Sequence, residues 1–245
     1  MKISTLLIWV PLIIFNTLLS QTDSSKAPVI YETFLLVGYS NPTPNNVHQY
    51  YDLILNSYNS AGIPITRQME FGSVLILSGG ILLTRIEDIW TGLSLGYSYS
   101  PAFSSYKDFA GTLKIKGVIN SFDISLKTQA TLTKVGNVPI HVSLEPGLNY
   151  TSTAITQELT YYNYSAYNYN SKWSASGWGP CATGILGSSV ELGGVTALVE
   201  CGYRFSWNFI DEENIISSSG DSKMFEHLNL GQSGIVFRIS LGMRL

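Results

Sequence analysis

Gly234-Ile-Val-Phe-Arg-Ile-Ser-Leu-Gly-Met-Arg-Leu245 closes the chain, and its alternation decides the fold. Ile235, Phe237, Ile239, Leu241, Met243 and Leu245 fall on one face of an extended segment. Gly234, Val236, Arg238, Ser240, Gly242 and Arg244 fall on the other. A period of two marks a strand, because successive side chains point to opposite sides of the backbone. Four more segments repeat the pattern. In 138–150, Val142, Leu144, Leu148 and Tyr150 alternate with His141, Ser143, Glu145 and Asn149. In 122–133, Phe122, Ile124 and Leu126 alternate with Asp123, Ser125 and Lys127. In 195–207, Val199, Cys201, Tyr203, Phe205 and Trp207 oppose Leu198, Glu200, Gly202, Arg204 and Ser206. In 89–99, Leu93, Leu95, Tyr97 and Tyr99 oppose Gly92, Ser94, Gly96 and Ser98.

Three further segments read as strands with less definite faces. Segment 28–40 carries Phe34 and Leu36 on the side of Glu32, 70–84 is apolar on both sides, and 178–190 is rich in Gly and Ser. Leu113 and Ile115 fall on the wrong parity for the strand at Phe122, which reads as a bulge or a strand leaving the bilayer. That makes eight strands. Their joins alternate: short at 85–88, 135–137 and 191–194, long at 41–69, 101–110, 151–177 and 208–232. Within the first long join, Val47, Tyr50, Tyr51, Ile54 and Tyr58 recur at helical spacing, and Gly62-Ile-Pro64 ends the run. A helix over 45–60, lying on the membrane surface or capping the structure, is expected.

The composition agrees. The 245 residues include 14 Lys and Arg against 17 Asp and Glu, a net charge of −3. Charged residues are 13% of the chain and the mean hydropathy is +0.16. This excludes a disordered chain and an electrostatic nucleic-acid binder, so nucleic acid is not an expected partner. Lys2, the apolar run Leu6 to Phe15 and the small Ser20 read as a secretory signal peptide, residues 1–20. A linker over 21–27 then leads to a single domain, 28–245. No later stretch suits a membrane helix, and a hydrophobic exported chain without one can still span a membrane by closing its strands into a barrel. The expected fold is all-β: an eight-stranded antiparallel up-and-down transmembrane barrel with short periplasmic turns and long external loops. Tyr39, Tyr97, Tyr99, Phe122, Tyr150, Trp178, Phe205 and Trp207 fall at the long-loop ends, where an external aromatic girdle belongs. A ten-stranded barrel, with a hairpin inside 41–69, and a soluble lipocalin-like barrel with its faces reversed are the competing architectures.

With these features the chain resembles the small outer-membrane β-barrel proteins of Gram-negative bacteria, the OmpA/OmpX-like and OmpW-like barrels. The last eight residues, Arg238 to Leu245, resemble their C-terminal assembly signal. Arg238, Met243 and Leu245 fit it; Ser240 stands where a Gly is usual, and Leu245 where a Phe is. The resemblance implies export through Sec, periplasmic chaperones and the barrel-assembly machinery as partners, outer-membrane lipids around the barrel, and both termini in the periplasm.

Candidate sites follow from parity. Glu32, Asp123, Lys127, His141, Glu145, Glu200, Arg204, Arg238 and Arg244 all point inward, where an eight-stranded barrel has just enough room for side chains. Ion pairing into a polar core is the expected use. Glu200 is expected beside Arg204 and Arg238. His141, Ser143 and Glu145 share one face, but nothing in that spacing orients a base toward a nucleophile. Cys181 and Cys201 are ten residues on either side of Glu191, which leaves both a disulfide and two free thiols open. No cofactor or metal motif occurs. The Tyr- and Asn-rich run 161–173 offers Tyr161, Tyr162, Tyr164, Tyr167, Tyr169 and Trp173 as an external surface for a ligand or glycan, since Tyr gives contact area at low entropy cost. The expected function is non-enzymatic: structural or surface-binding. Alternatives are a small porin-like transporter for apolar solutes, using an inward Phe34, Leu36, Val74 and Ile76, and a lipid A-modifying barrel enzyme, for which His48 and His227 show no partner set.

Overall fold

The computed structural model describes residues 32–43, 45–72, 74–86, 89–164, 166, 168–210, 216–217 and 229–244; at 84–86, 209–210, 216–217 and 244 it describes the backbone. The expected signal peptide, the linker, Tyr167, His227 and Leu245 lie outside the described residues, as does the side chain of Arg244.

Eight antiparallel strands form the wall: β1 (Glu32–Pro42), β3 (Val74–Ile86), β4 (Ile89–Lys107), β5 (Gly111–Val135), β6 (Val138–Tyr161), β7 (Tyr169–Leu192), β8 (Val195–Ser206) and β11 (Gly234–Arg244). Each pairs with its neighbour in sequence around the ring, β11 pairs with both β8 and β1, and the ring closes. Within the ring, closure leaves no strand edge to template aggregation or fray. Three short strands lie off the ring: β2 (Thr66–Met69) on β4, and β9 (Phe209–Ile210) and β10 (Ile216–Ser217) on β7. The helix α1 (Asn46–Ser60) forms as expected. Asn45 caps it, its side-chain oxygen accepting from the amides of Val47 at 3.0 Å and His48 at 3.2 Å. At one end the strands turn tightly: the Gly193-Gly194 hairpin takes φ +60° and +93°, the left-handed pair that a two-residue β-turn requires.

The faces are those of a barrel in lipid. Leu35, Ile239 and Val199 point outward and are 66%, 62% and 63% exposed. Lys127 points inward and is 2% exposed. The aromatic residues meet across strands: Tyr97 pairs with Phe122, Phe122 with Tyr150, and Tyr150 with Trp178, whose rings are 4.9 Å apart. Tyr203 and Phe237 join the same outward belt. The 178–190 segment acquires a definite face, with Cys181, Thr183, Ile185 and Ser189 inside.

One expectation about the loops is overturned, and one of the two readings of Leu113 and Ile115, the bulge, is excluded in favour of a strand that leaves the bilayer. The joins at 101–110 and 151–177 are mostly strand: β4 to β7 continue far past the girdle and form a tall half-wall, closed at one tip by Asp108, whose carboxylate accepts from the amides of Ala110 and Gly111. No bulge occurs at Leu113 and Ile115. Strand β5 stays in register there, and the environment changes instead. Below the girdle the inside of β5 is polar and the outside is lipid; above it the outside, with Lys114 and Lys116, is wet, and the inside is apolar. Leu113, Ile115 and Ile119 are therefore inward and fully buried. The other half-wall, β1, β3, β8 and β11, stops near the girdle.

Candidate functional site

The lower lumen is a layer of paired charges. Arg204 grips Asp123 through two bonds of 2.5 and 2.7 Å. Arg238 donates to Glu145 at 2.7 Å. Lys127 lies between Glu200 at 3.0 Å and Glu145 at 3.4 Å. Its ammonium also sits 4.9 Å from the centroid of the Phe34 ring. Glu200 thus pairs with Lys127 and not with Arg204 or Arg238 as expected. The two arginines are engaged by carboxylates on other strands, which reach across the lumen where neighbours along one strand do not. Glu32 is buried and stands opposite Arg244 in the β1–β11 register.

His141 does not join Glu145. Its two ring nitrogens meet the hydroxyls of Thr131 at 3.2 Å and Ser189 at 2.7 Å. Glu145 is committed to its two cations, so the shared face of His141, Ser143 and Glu145 is not a relay. Cys181 points inward and Cys201 outward, and both are free thiols. The turn at Gly193-Gly194, two residues past Glu191, sets Cys201 opposite Leu186 and Cys181 opposite Ser206.

Above the charges lies a layer of neutral polar groups. Asn149 donates to Asp123. Asn208 donates to Asn149 at 2.5 Å and to Thr151 at 2.7 Å, and Ser121 bonds Thr151 at 2.8 Å. Asn208 belongs to a stretch that reads as loop, and no pattern in the sequence points it inward. Phe34, Leu36, Val74 and Ile76 do face inward, packed with Leu82, Trp90 and Val236 along one side. Two lumen cavities, of about 30 and 20 Å³, are each the size of roughly one water.

The upper lumen is filled by α1. Val47, Tyr51, Ile54 and Leu55 are buried against Phe71, Ala102, Leu113, Ile115, Ile119, Ile155, Trp173 and Ala175. Phe71 sits where Gly117 has no side chain: a Cβ there would lie 2.2 Å from the ring. Tyr51 donates to Ser104 at 2.9 Å, and burial pushes its hydroxyl up from its ordinary pKa. His48 donates its Nε2–H to the Phe71 carbonyl at 2.8 Å, and its Nδ1 meets the Asn45 cap, 3.1 Å from the amide nitrogen and 2.6 Å from the side-chain oxygen. Burial lowers the His48 pKa, against the opposing pull of the Phe71 carbonyl and Asp52.

Trp173 corrects the Tyr-rich surface. It is in β7, faces inward, is 4% exposed and packs 5.2 Å from the ring of Tyr50. Its parity follows that of the apolar residues above the girdle. Tyr161 ends β6 and Tyr169 begins β7; Tyr162, Tyr164 and Tyr169 are exposed at the hairpin tip.

A cleft of about 520 Å³ lies between α1 and the low rim of the barrel. Tyr51, Phe71 and His48 line it toward the plug, and Pro42, Tyr203 and Ile235 toward the rim. Arg67 bridges Asp52 at 2.9 Å and Glu70 at 3.2 Å on its outer edge. Sequence spacing does not bring these residues together, because they come from five separate segments.

No family model and no curated protein matches the chain. Solved structures do. A major outer membrane protein of Thermus thermophilus is 11% identical, with a TM-score of 0.41 over 87% of this chain and 99% of that one. Ail, the attachment invasion locus protein of Yersinia pestis, is 7% identical, with a TM-score of 0.38 over 89% of this chain and 100% of that one. The outer membrane protease OmpT of Escherichia coli is 10% identical, with a TM-score of 0.37 over 92% of this chain and 100% of that one. By its own closed ring, outward apolar band and aromatic girdle, the chain is an eight-stranded transmembrane β-barrel, and the solved structures it is similar to are outer-membrane barrel proteins.

Proposed function

We propose that the protein is a non-enzymatic barrel of the bacterial outer membrane that acts through its external rim and does not conduct along its axis. One observation carries the reading: the lumen is closed twice, by paired charges and amides at membrane depth and by the buried face of α1 above them. What remains for partners is the tall half-wall with Tyr161, Tyr162, Tyr164 and Tyr169 at its tip, a mixture of rigid aromatic area and adaptable Asn and Ser suited to a glycan or protein surface. The inward apolar strip from Phe34 to Ile76 supports packing more than passage, since its members are buried against one another. The commitment of His141 and Glu145 to separate partners argues against hydrolysis in the lumen.

The test is planar-bilayer recording on the refolded protein, paired with a glycan panel probed by wild type and by a variant with the four tip tyrosines changed to Ser. Absence of current steps and binding lost in the variant support the reading. A large stable current overturns the closed lumen, and undiminished binding by the variant overturns the role of the tip.

A further inference from the structure

Among the described residues, the cleft between plug and low rim opens sideways. Its outer row, Asn41, Ile235 and Tyr203, lies across three neighbouring strands, β1, β11 and β8, each paired with the next in register. Ile235 and Tyr203 point outward and are each 50% exposed, in the belt that meets lipid. Behind them the cleft runs inward to Tyr51 and Phe71, each 3% exposed. An entrant from the bilayer therefore meets apolar surface first and the Asp52–Arg67–Glu70 cluster at the upper edge. The volume of about 520 Å³ falls in the range of small-ligand sites, roughly 300–1,000 Å³.

The charge of the cluster selects the head group. Arg67 answers two carboxylates and can neutralise only one, so the edge holds one negative charge in excess. His48 adds no positive charge while burial keeps it neutral. An anionic head would meet repulsion there; an ammonium would find two acceptors beside an aromatic wall, which itself favours cations. We infer that this lateral cleft is a binding site for an amine-bearing amphiphile drawn from the outer leaflet, with its apolar arm along Ile235, Tyr203 and Pro42 and its ammonium at Asp52 and Glu70. The inference is independent of the tip surface and of whether the lumen conducts.

The experiment is methyl and amide NMR on the barrel in nanodiscs, titrated with dodecylammonium and, separately, with dodecyl sulfate. Ile124 on β5, the strand facing β11 across the ring, reports general partition into the bilayer. Dodecylammonium should shift Ile235, Tyr203 and Gly72 saturably, while Ile124 moves only linearly. Dodecyl sulfate should give no saturable shift. The double variant Asp52→Asn/Glu70→Gln changes two exposed side chains and leaves Arg67 unanswered. It should lose at least tenfold in affinity for dodecylammonium and gain a saturable response to dodecyl sulfate. Equal responses to the two probes in the wild type, no saturation with either, or unchanged dodecylammonium affinity in a variant that keeps the folded barrel's spectrum would each overturn the site.

Discussion

Lys127 is 2% exposed and sits beside an aromatic ring, a position a lone ammonium could not hold. It is stable there because Glu200 and Glu145 flank it, and Glu145 in turn holds Arg238. Replacing Glu200 by Ala leaves Lys127 and Arg238 sharing one carboxylate. Breaking one side of a buried pair costs about 3 kcal/mol, so urea unfolding of the refolded barrel should shift by that order. Glu200→Gln should cost less, because its amide oxygen still accepts from the ammonium. His48 predicts a pH response. The unfolded imidazole takes a proton as the pH falls through about 6.5, and folded His48 does so only lower, so the stability it contributes is complete above 6.5 and is lost as the pH falls toward the folded value. The protection of the α1 amides, taken relative to the intrinsic exchange rate at each pH, should fall as the pH drops from about 7 to about 5, and a His48→Gln variant should lose that dependence. Inward placement of these charges was legible from parity alone. Their pairing was not, since it depends on which strands face each other across the lumen.

Strands carried the most legible information, and they misled where the solvent outside changes. Parity in β11, β8 and the lower part of β5 placed every described side chain correctly, because lipid outside and polar lumen inside obey one rule. Above the girdle the rule reverses, and Leu113, Ile115 and Trp173 could be understood only once α1 was seen filling the space they face. The helix itself was readable from its spacing; its place inside the tall half-wall was not. Its seat offers a test. Adding a methyl at Gly117 would collide with Phe71, so Gly117→Ala should cost about 1–3 kcal/mol locally. Exchange of the α1 amides should rise while the β1–β11 seam stays protected. The seam has its own test. Met243 pairs with Thr33 on β1 and Val195 on β8, so deleting 243–245 takes apolar anchors from the closing strand and most of the expected assembly signal. Fractionated cells should show the truncated chain degraded and absent from the outer membrane; normal surface exposure would place the signal elsewhere.

The whole molecule is a barrel whose inside–outside logic inverts once along its axis, and this joins fold to function. The half below the girdle holds the charge pairs; the half above it is, among the described residues, a half-cylinder around a helix, with a tall side and a low side. A closed ladder without edges should resist SDS, so unboiled protein should run faster on a gel than boiled protein. The inversion itself is tested most directly by spin labels placed singly at the outward positions of β5 in bilayers, from Thr112 to Leu132. The account predicts labels at 112, 114, 116, 118 and 120 accessible to a water-soluble nickel complex. Labels at 122, 124, 126, 128, 130 and 132 should be accessible to lipid-dissolved oxygen instead, with the crossover between Asn120 and Phe122. Water accessibility along the whole strand, or a crossover displaced below Ile124, would contradict it.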